Sequence, residues 1–146
     1  MKRPRFSLQA VLDLRIQAKD KAADAFAAAV RDRDAAAARV ADAQQRLEEL
    51  TRMISGERFP AWVREQGWNA LNAQRDLLKT LVLRLAQEEK KVDARREALI
   101  AADRELKLVE KLREKWLAQI RAGQAKAEEA RIDDFINSRF LQPANP

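Results

Sequence analysis

The fold is decided by residues 71–109, which read LNAQRDLLKTLVLRLAQEEKKVDARREALIAADRELKLV. Every seventh residue of one row is a leucine or a valine: Leu71, Leu78, Leu85, Val92, Leu99 and Leu106. A second apolar row follows three residues later and is interrupted by Glu88 and Arg95: Leu81, Ala102, Val109 and Trp116. A seven-residue apolar repeat sustained over several heptads predicts a left-handed coiled coil.

A thinner seam with the same period occurs earlier in the chain. Its first row has one exception, Arg33, among the apolar residues Phe26, Val40, Leu47 and Ile54. Its second row, three residues later, consists mainly of alanine: Ala22, Ala29, Ala36, Ala43 and Leu50. Small alanines that face large leucines allow close, interdigitated packing. The two seams therefore predict that the two halves of the chain pack against each other.

The positions of glycine, proline and a capping serine set the predicted bounds. No glycine or proline lies between Pro4 and Gly56, and the hydroxyl of Ser7 is suited to cap a helix. We predict a single coiled-coil domain over residues 1–146, with helix 1 at about 7–55, a connector at 56–67, helix 2 at about 68–138 and a frayed tail at 139–146.

A short connector between two long helices favours an antiparallel hairpin. Folding at about residue 61 pairs residues whose numbers sum to roughly 122, as Phe6 and Trp116 or Leu12 and Val109 do. Helix 2 then continues alone for about 24 residues. At ~1.5 Å per residue this unpaired segment is roughly 36 Å long. The predicted fold class is all-α, an antiparallel coiled-coil hairpin in which the C-terminal helix is longer.

The composition argues against an enzyme. Cysteine and histidine are absent, which removes thiolate chemistry and the commonest metal ligand. The chain has no glycine-rich phosphate loop, no nucleophile beside a base and no cluster with metal-ligand spacing. We expect no catalytic residue, no cofactor and no metal. No signal peptide and no membrane span are predicted, so we expect a cytoplasmic protein.

The predicted turn is rich in large apolar side chains: Phe59, Trp62, Val63 and Trp68. They can close the end of the hairpin or anchor a partner, because aromatic residues dominate interface hot spots. Both roles are compatible if Phe59 and one tryptophan point inward and the other tryptophan points outward.

The opposite part of the pattern, near the two termini, also suggests binding. Ile132, Phe135, Ile136 and Phe140 share one helical face beyond the reach of helix 1. This face either meets a groove on another protein or a second copy of the chain, or the segment frays or folds back; we favour an external partner. The N-terminus adds a basic patch that is either a solubilising tail or part of the same surface: Lys2, Arg3 and Arg5.

Three segments resemble a known family. The segment from Phe6 to Arg15 (FSLQAVLDLR) resembles the opening of the flagellar export protein family FliJ, which reads Phe-x-Leu-Gln-x-Val-Leu-x-x-Arg. The segments 110–116 (EKLREKW) and 127–135 (AEEARIDDF) are similar to C-terminal segments of that family. The YscO-like proteins of virulence injectisomes are similar in shape, so the flagellar and injectisome systems both stay open.

The resemblance implies a component of a bacterial type III protein export apparatus. Its implied role is a central stalk that docks into a hexameric export ATPase and contacts the cytoplasmic domain of the export gate and export chaperones. The implied place is the cytoplasmic face of the inner membrane, reached through partners only. By this analogy the ATPase-ring contacts are Arg3, Arg5, Phe6, Ile132, Phe135 and Phe140. The export-gate contacts are Phe59, Trp62, Trp68 and Leu71.

Two other interpretations follow from the residues. The net charge of +6 allows a basic coiled coil that binds nucleic acid. We favour this less, because acidic residues flank the short basic runs and both signs are interspersed along the chain. The unpaired end of helix 2 also allows a homodimeric spacer in which two hairpins join through these ends.

Overall fold

Two long α-helices make up the structure, a computed structural model that describes residues 3–56 and 59–140. Helix α1 spans Gln9–Gly56 (48 residues) and helix α2 spans Ala61–Phe140 (80 residues). The helices pack against each other, and the described residues contain no strand. The predicted all-α hairpin with a longer C-terminal helix is confirmed.

Helix α2 begins at Ala61, so the prediction of a connector over residues 56–67 is wrong for its second half. The carbonyl of Pro60 accepts hydrogen bonds from the N–H groups of Val63 (3.0 Å) and Arg64 (3.1 Å), and this starts the helix. Proline fits this place because it does not need to donate an N–H there. Residues 57 and 58 lie outside the described part of the chain.

Gly67 lies within α2 rather than ending a connector. A Cβ atom added at Gly67 would lie 3.2 Å from Cγ1 of Ile54 on α1, which is tighter than an ordinary contact. Glycine in a helix costs about 1 kcal/mol relative to alanine. The close approach of Ile54 gives a packing reason for glycine at this place.

At its other end α2 continues to Phe140, beyond the predicted end near 138. Residues 141–146 of the predicted frayed tail lie outside the described residues. Gly123 sits within the continuous helix, and a Cβ atom added there would meet nothing within 4 Å.

The chain divides into two compact units, each with part of both helices. The turn unit is Ala18–Ala102, and the terminal unit is Met1–Gln17 together with Asp103–Pro146.

In the turn unit, the predicted rows form the core. The buried residues on α1 are Ala29, Ala36, Val40 and Ala43, and the buried apolar residues on α2 are Leu71 and Val92. Val92 is the most deeply buried side chain, with 2% of its surface exposed. The guanidinium of Arg96 lies 5.8 Å from the ring centroid of Phe26, as the predicted pairing register requires. The alanine row of α1 therefore faces the leucine and valine row of α2.

In the terminal unit, a small cluster joins the start of the chain to α2. Its buried members are Phe6, Leu12, Leu106 and Val109, with Leu8 and Trp116 packed against them. The ring centroids of Phe6 and Trp116 are 5.4 Å apart. The predicted neighbours Phe6 and Trp116 are thus in contact, and Leu12 and Val109 share one cluster.

No helix within residues 3–56 and 59–140 is long and apolar enough to cross a membrane.

Candidate interaction surfaces

The last part of α2 is uncovered. Every described residue from Arg121 to Phe140, a segment we call the overhang, is exposed. Phe135 exposes 60% of its surface and Phe140 exposes 79%, and Ile132 and Ile136 are exposed as well. We call these four residues the overhang face. Their spacing places them along one side of the helix.

The overhang face does not continue the seam of the hairpin. The sevenfold row that contains Leu106 continues through residues 113, 120 and 127 to Asp134. Ile132 lies two residues before Asp134, so its side chain is about 200° around the helix axis from that of Asp134. The two side chains are therefore on nearly opposite sides of α2. Large apolar side chains therefore lie on the side of α2 that turns away from its seam. They are not the unused remainder of a seam that α1 is too short to cover.

The charges of the overhang balance each other. Its four basic and four acidic residues are Arg121, Lys126, Arg131, Arg139, Glu128, Glu129, Asp133 and Asp134. The guanidinium of Arg139 lies 5.8 Å from the ring centroid of Phe135. The overhang therefore has no net charge, and its four large apolar side chains are exposed among charges of both signs.

The structure separates the predicted ATPase-ring contacts into two groups. Ile132, Phe135 and Phe140 lie on the overhang face, and Arg3 and Arg5 are exposed near the start of the chain. The assignment of Phe6 as a ring contact is corrected, because Phe6 is buried against Trp116 in the core of the terminal unit and is covered by its own chain. Lys2, the remaining residue of the predicted basic patch, lies outside the described residues.

The predicted export-gate contacts separate in the same way. Both tryptophans are exposed, Trp62 to 65% and Trp68 to 53%, so neither is the inward-pointing tryptophan through which the two roles of the turn could be combined. Phe59 is half-buried. The assignment of Leu71 as a gate contact is also corrected, because its exposed fraction of 3% places it in the core of the turn unit.

One further exposed apolar residue near the turn was not predicted from the sequence. Met53, at the end of α1, is 66% exposed. We call Met53, Phe59, Trp62 and Trp68 the turn surface. The guanidinium of Arg75 lies 5.7 Å from the ring centroid of Trp68, which leaves that ring with a cation on one side.

The turn unit has a further apolar patch that was not predicted from the sequence. Leu77, Val82 and Leu83 are exposed, and a shallow apolar cavity of about 470 Å³ is lined by Leu78, Lys79, Val82 and Leu83. The signal was present in residues 77–85, which read LLKTLVLRL. A segment that is apolar around most of its circumference carries more apolar surface than one seam can bury.

The described residues hold no group of three or more His, Cys, Asp or Glu side chains that could bind a metal ion. Their surfaces combine exposed aromatic and aliphatic side chains with interspersed charges, which suits binding to other proteins.

Residues 4–145 match the family described as flagellar FliJ protein. The chain belongs to the FliJ family. This confirms the resemblance that starts at Phe6, and it assigns the chain to the flagellar system. No curated protein and no solved structure matches the chain.

Membership of the FliJ family makes the chain a component of the flagellar export apparatus, in which it interacts with other export components. The FliJ family consists of structural and export components and is not known for enzymatic activity.

Proposed function

We propose that this chain is a non-enzymatic stalk of the flagellar export apparatus. Its overhang docks into the hexameric export ATPase and promotes assembly and activity of the ring. Its turn surface contacts the cytoplasmic domain of the export gate and export chaperones. The chain works in the cytoplasm at the inner membrane, where its partners hold it.

The observation that carries this proposal is the overhang face. Four large apolar side chains are exposed on a segment in which no described residue is buried. They lie on the side of α2 away from its seam, so packing within the hairpin does not explain them. An amphipathic helix of this kind is suited to a groove on a partner, where its i, i+3, i+4 and i+8 residues act as anchors.

The exposed arginines near the N-terminus support the same docking site. Arg3 and Arg5 precede Phe6, whose contact with Trp116 ties the start of the chain to α2 of the terminal unit. Exposed cations beside an apolar contact steer association and select acidic partners more than they add affinity. Arg3 and Arg5 therefore serve orientation, and the overhang face supplies most of the binding free energy.

The mechanism follows from the asymmetry of a single stalk. A single helical segment cannot present the same face to all six subunits of a ring, so its contacts differ from subunit to subunit. Differential contacts are what shifts a conformational equilibrium. The stalk thereby favours one arrangement of ring subunits without binding nucleotide itself.

The direct test is a titration of the homologous export ATPase with the full chain. We expect the chain to bind the ATPase, to increase the fraction of hexamer in light scattering and to raise the rate of ATP hydrolysis. The chain alone should bind no ATP. Unchanged hexamer formation together with unchanged turnover at saturating chain would refute the stalk role.

The turn surface gives a separate prediction. Exchanging Trp62 and Trp68 for alanine should weaken binding to the cytoplasmic domain of the export gate about 30-fold or more, because interface tryptophans often contribute ~1 kcal/mol or more each. Calorimetric titration of the purified gate domain measures this. The matched control exchanges two exposed leucines of the terminal unit, Leu14 and Leu108, for alanine. Equal affinity of the tryptophan variant and the control would remove the turn surface from the proposal.

A further inference from the structure

Glu88 is a charged residue within the apolar seam of the turn unit. Its side chain is buried with 7% of its surface exposed, and its Oε2 atom has no hydrogen-bond partner among the described residues. The closest recorded cation is Nζ of Lys91, 3.7 Å from Oε1 and on the same helix. A buried carboxylate with an unpaired oxygen costs folding free energy, so its position calls for an explanation.

Arg33 is the matching exception on α1. It occupies a position of the row that also contains Val40 and Leu47. It lines a cavity of about 240 Å³ together with Glu89, Val92, Asp93 and Arg96 of α2, and Glu88 directly precedes Glu89 on that helix. Arg33 and Glu88, two of the three polar exceptions of the seams, therefore lie at about the same level of the turn unit.

In the structure the guanidinium of Arg33 is bound to a neighbour on its own helix. Its Nε and Nη2 atoms donate to Oδ1 of Asp34 at 3.2 and 3.0 Å. The side chain of Asp34 is 63% exposed. An exposed ion pair of this kind contributes little to stability, so it is easily exchanged for another partner.

The repetitive seam creates a problem that a polar pair can solve. The sevenfold leucine and valine row of α2 is also suited to pair with α2 of a second copy, since such rows form coiled coils between chains. In a symmetric parallel pair of that kind, the two Glu88 carboxylates would face each other across an apolar interface. Like charges in such a place are strongly unfavourable.

We propose that Arg33 and Glu88 form an ion pair across the seam, and that this pair selects α1 of the same chain over α2 of a second copy as the partner of α2. Arg33 exchanges its contact with Asp34 for one with Glu88. The pair makes the hairpin less stable than an apolar pair at these two positions would. It also disfavours pairing of α2 with α2 of a second copy, as single polar residues in coiled coils do.

A charge exchange tests the pair directly. Arg33→Glu alone and Glu88→Arg alone each place two like charges in the seam, and each should lower the melting temperature by about 5 °C or more. The double variant Arg33→Glu/Glu88→Arg restores opposite charges and should recover at least half of that loss. Thermal unfolding followed by circular dichroism measures all four proteins. Additive losses in the double variant would overturn the ion pair.

A second variant tests the choice of partner. Glu88→Leu fills the seam with an apolar side chain and removes the carboxylate that would face its own copy in a parallel pair of α2 helices. Light scattering over a 100-fold range of concentration should then show more dimer than the unchanged chain forms. A Glu88→Leu chain with the same mass as the unchanged chain at every concentration would overturn the proposed selection.

Discussion

Exchanging both Phe135 and Phe140 for aspartate is expected to weaken binding to the export ATPase strongly. The two phenylalanines are the most exposed aromatic residues of the overhang face, and each can fill an apolar pocket on a partner. Two charges in place of two anchors should weaken binding about 100-fold or more. Surface plasmon resonance with immobilised ATPase measures the affinity, and the hydrolysis assay should show that the stimulation is lost.

The fold itself should survive this change. The overhang contains no buried residue, so the substitutions remove no packing within the described chain. Circular dichroism should show nearly unchanged helicity, because aspartate costs only about 0.7 kcal/mol per residue in a helix.

The matched control places the same two charges elsewhere. Leu14→Asp together with Leu108→Asp also exchanges two exposed apolar residues of the terminal unit, but outside the overhang. The control should bind the ATPase nearly as well as the unchanged chain. If the overhang variant keeps the affinity of the control, the docking site lies elsewhere on the molecule.

The largest expected loss of stability comes from Val92→Asp. Val92 is 2% exposed, so an aspartate there buries a charge in an apolar seam that already contains Glu88. Such substitutions typically cost ~4 kcal/mol or more, which corresponds to a fall in melting temperature of about 10 °C or more. Thermal unfolding followed by circular dichroism at several wavelengths measures this loss.

The control for Val92→Asp is Leu83→Asp on the same helix. Leu83 is exposed, and surface substitutions usually change stability by less than about 0.5 kcal/mol. The two variants carry the same added charge on α2, so any difference between them reports burial. Similar melting temperatures for both would mean that the seam around Val92 is not the core of the turn unit.

The pairing of the helices could be predicted from the sequence because two simple rules determine it. A sevenfold row identifies the buried side of each helix, and the breakers near residue 60 locate the turn. Together they place Phe6 against Trp116, and the structure has these rings 5.4 Å apart. The alanines at 29, 36 and 43 are buried for the same reason.

The bounds of the turn were harder to predict. Gly67 reads as a breaker, yet it lies within α2, where Ile54 packs close to its backbone. Whether a glycine ends a helix or admits a neighbouring helix depends on contacts that are distant in sequence. Local propensity alone cannot separate these two cases.

The candidate surfaces were predicted only in part, because a pattern identifies apolar residues but not which of them are covered. Phe6 and Leu71 are as apolar as Phe135 and Trp62, but the first two are buried by their own chain. The exposure of the overhang could be predicted, since arithmetic on the helix lengths showed that α1 ends before it. That its apolar face turns away from the seam was not predicted. The export ATPase is the partner that we propose for it, and this proposal rests on the resemblance to the FliJ family.

The alanine row of α1 also leaves room for the side chain of Gln74 on α2. With only a methyl group at Ala43, the Gln74 amide reaches the α1 backbone and donates to the Ala43 carbonyl oxygen at 3.2 Å. That acceptor belongs to the main chain, so an exchange of residue 43 does not remove the oxygen itself. A substitution at residue 43 can end the contact only if its larger side chain holds the Gln74 amide away from this oxygen. This bond between the helices therefore depends on the smallness of one residue and not on its chemical identity.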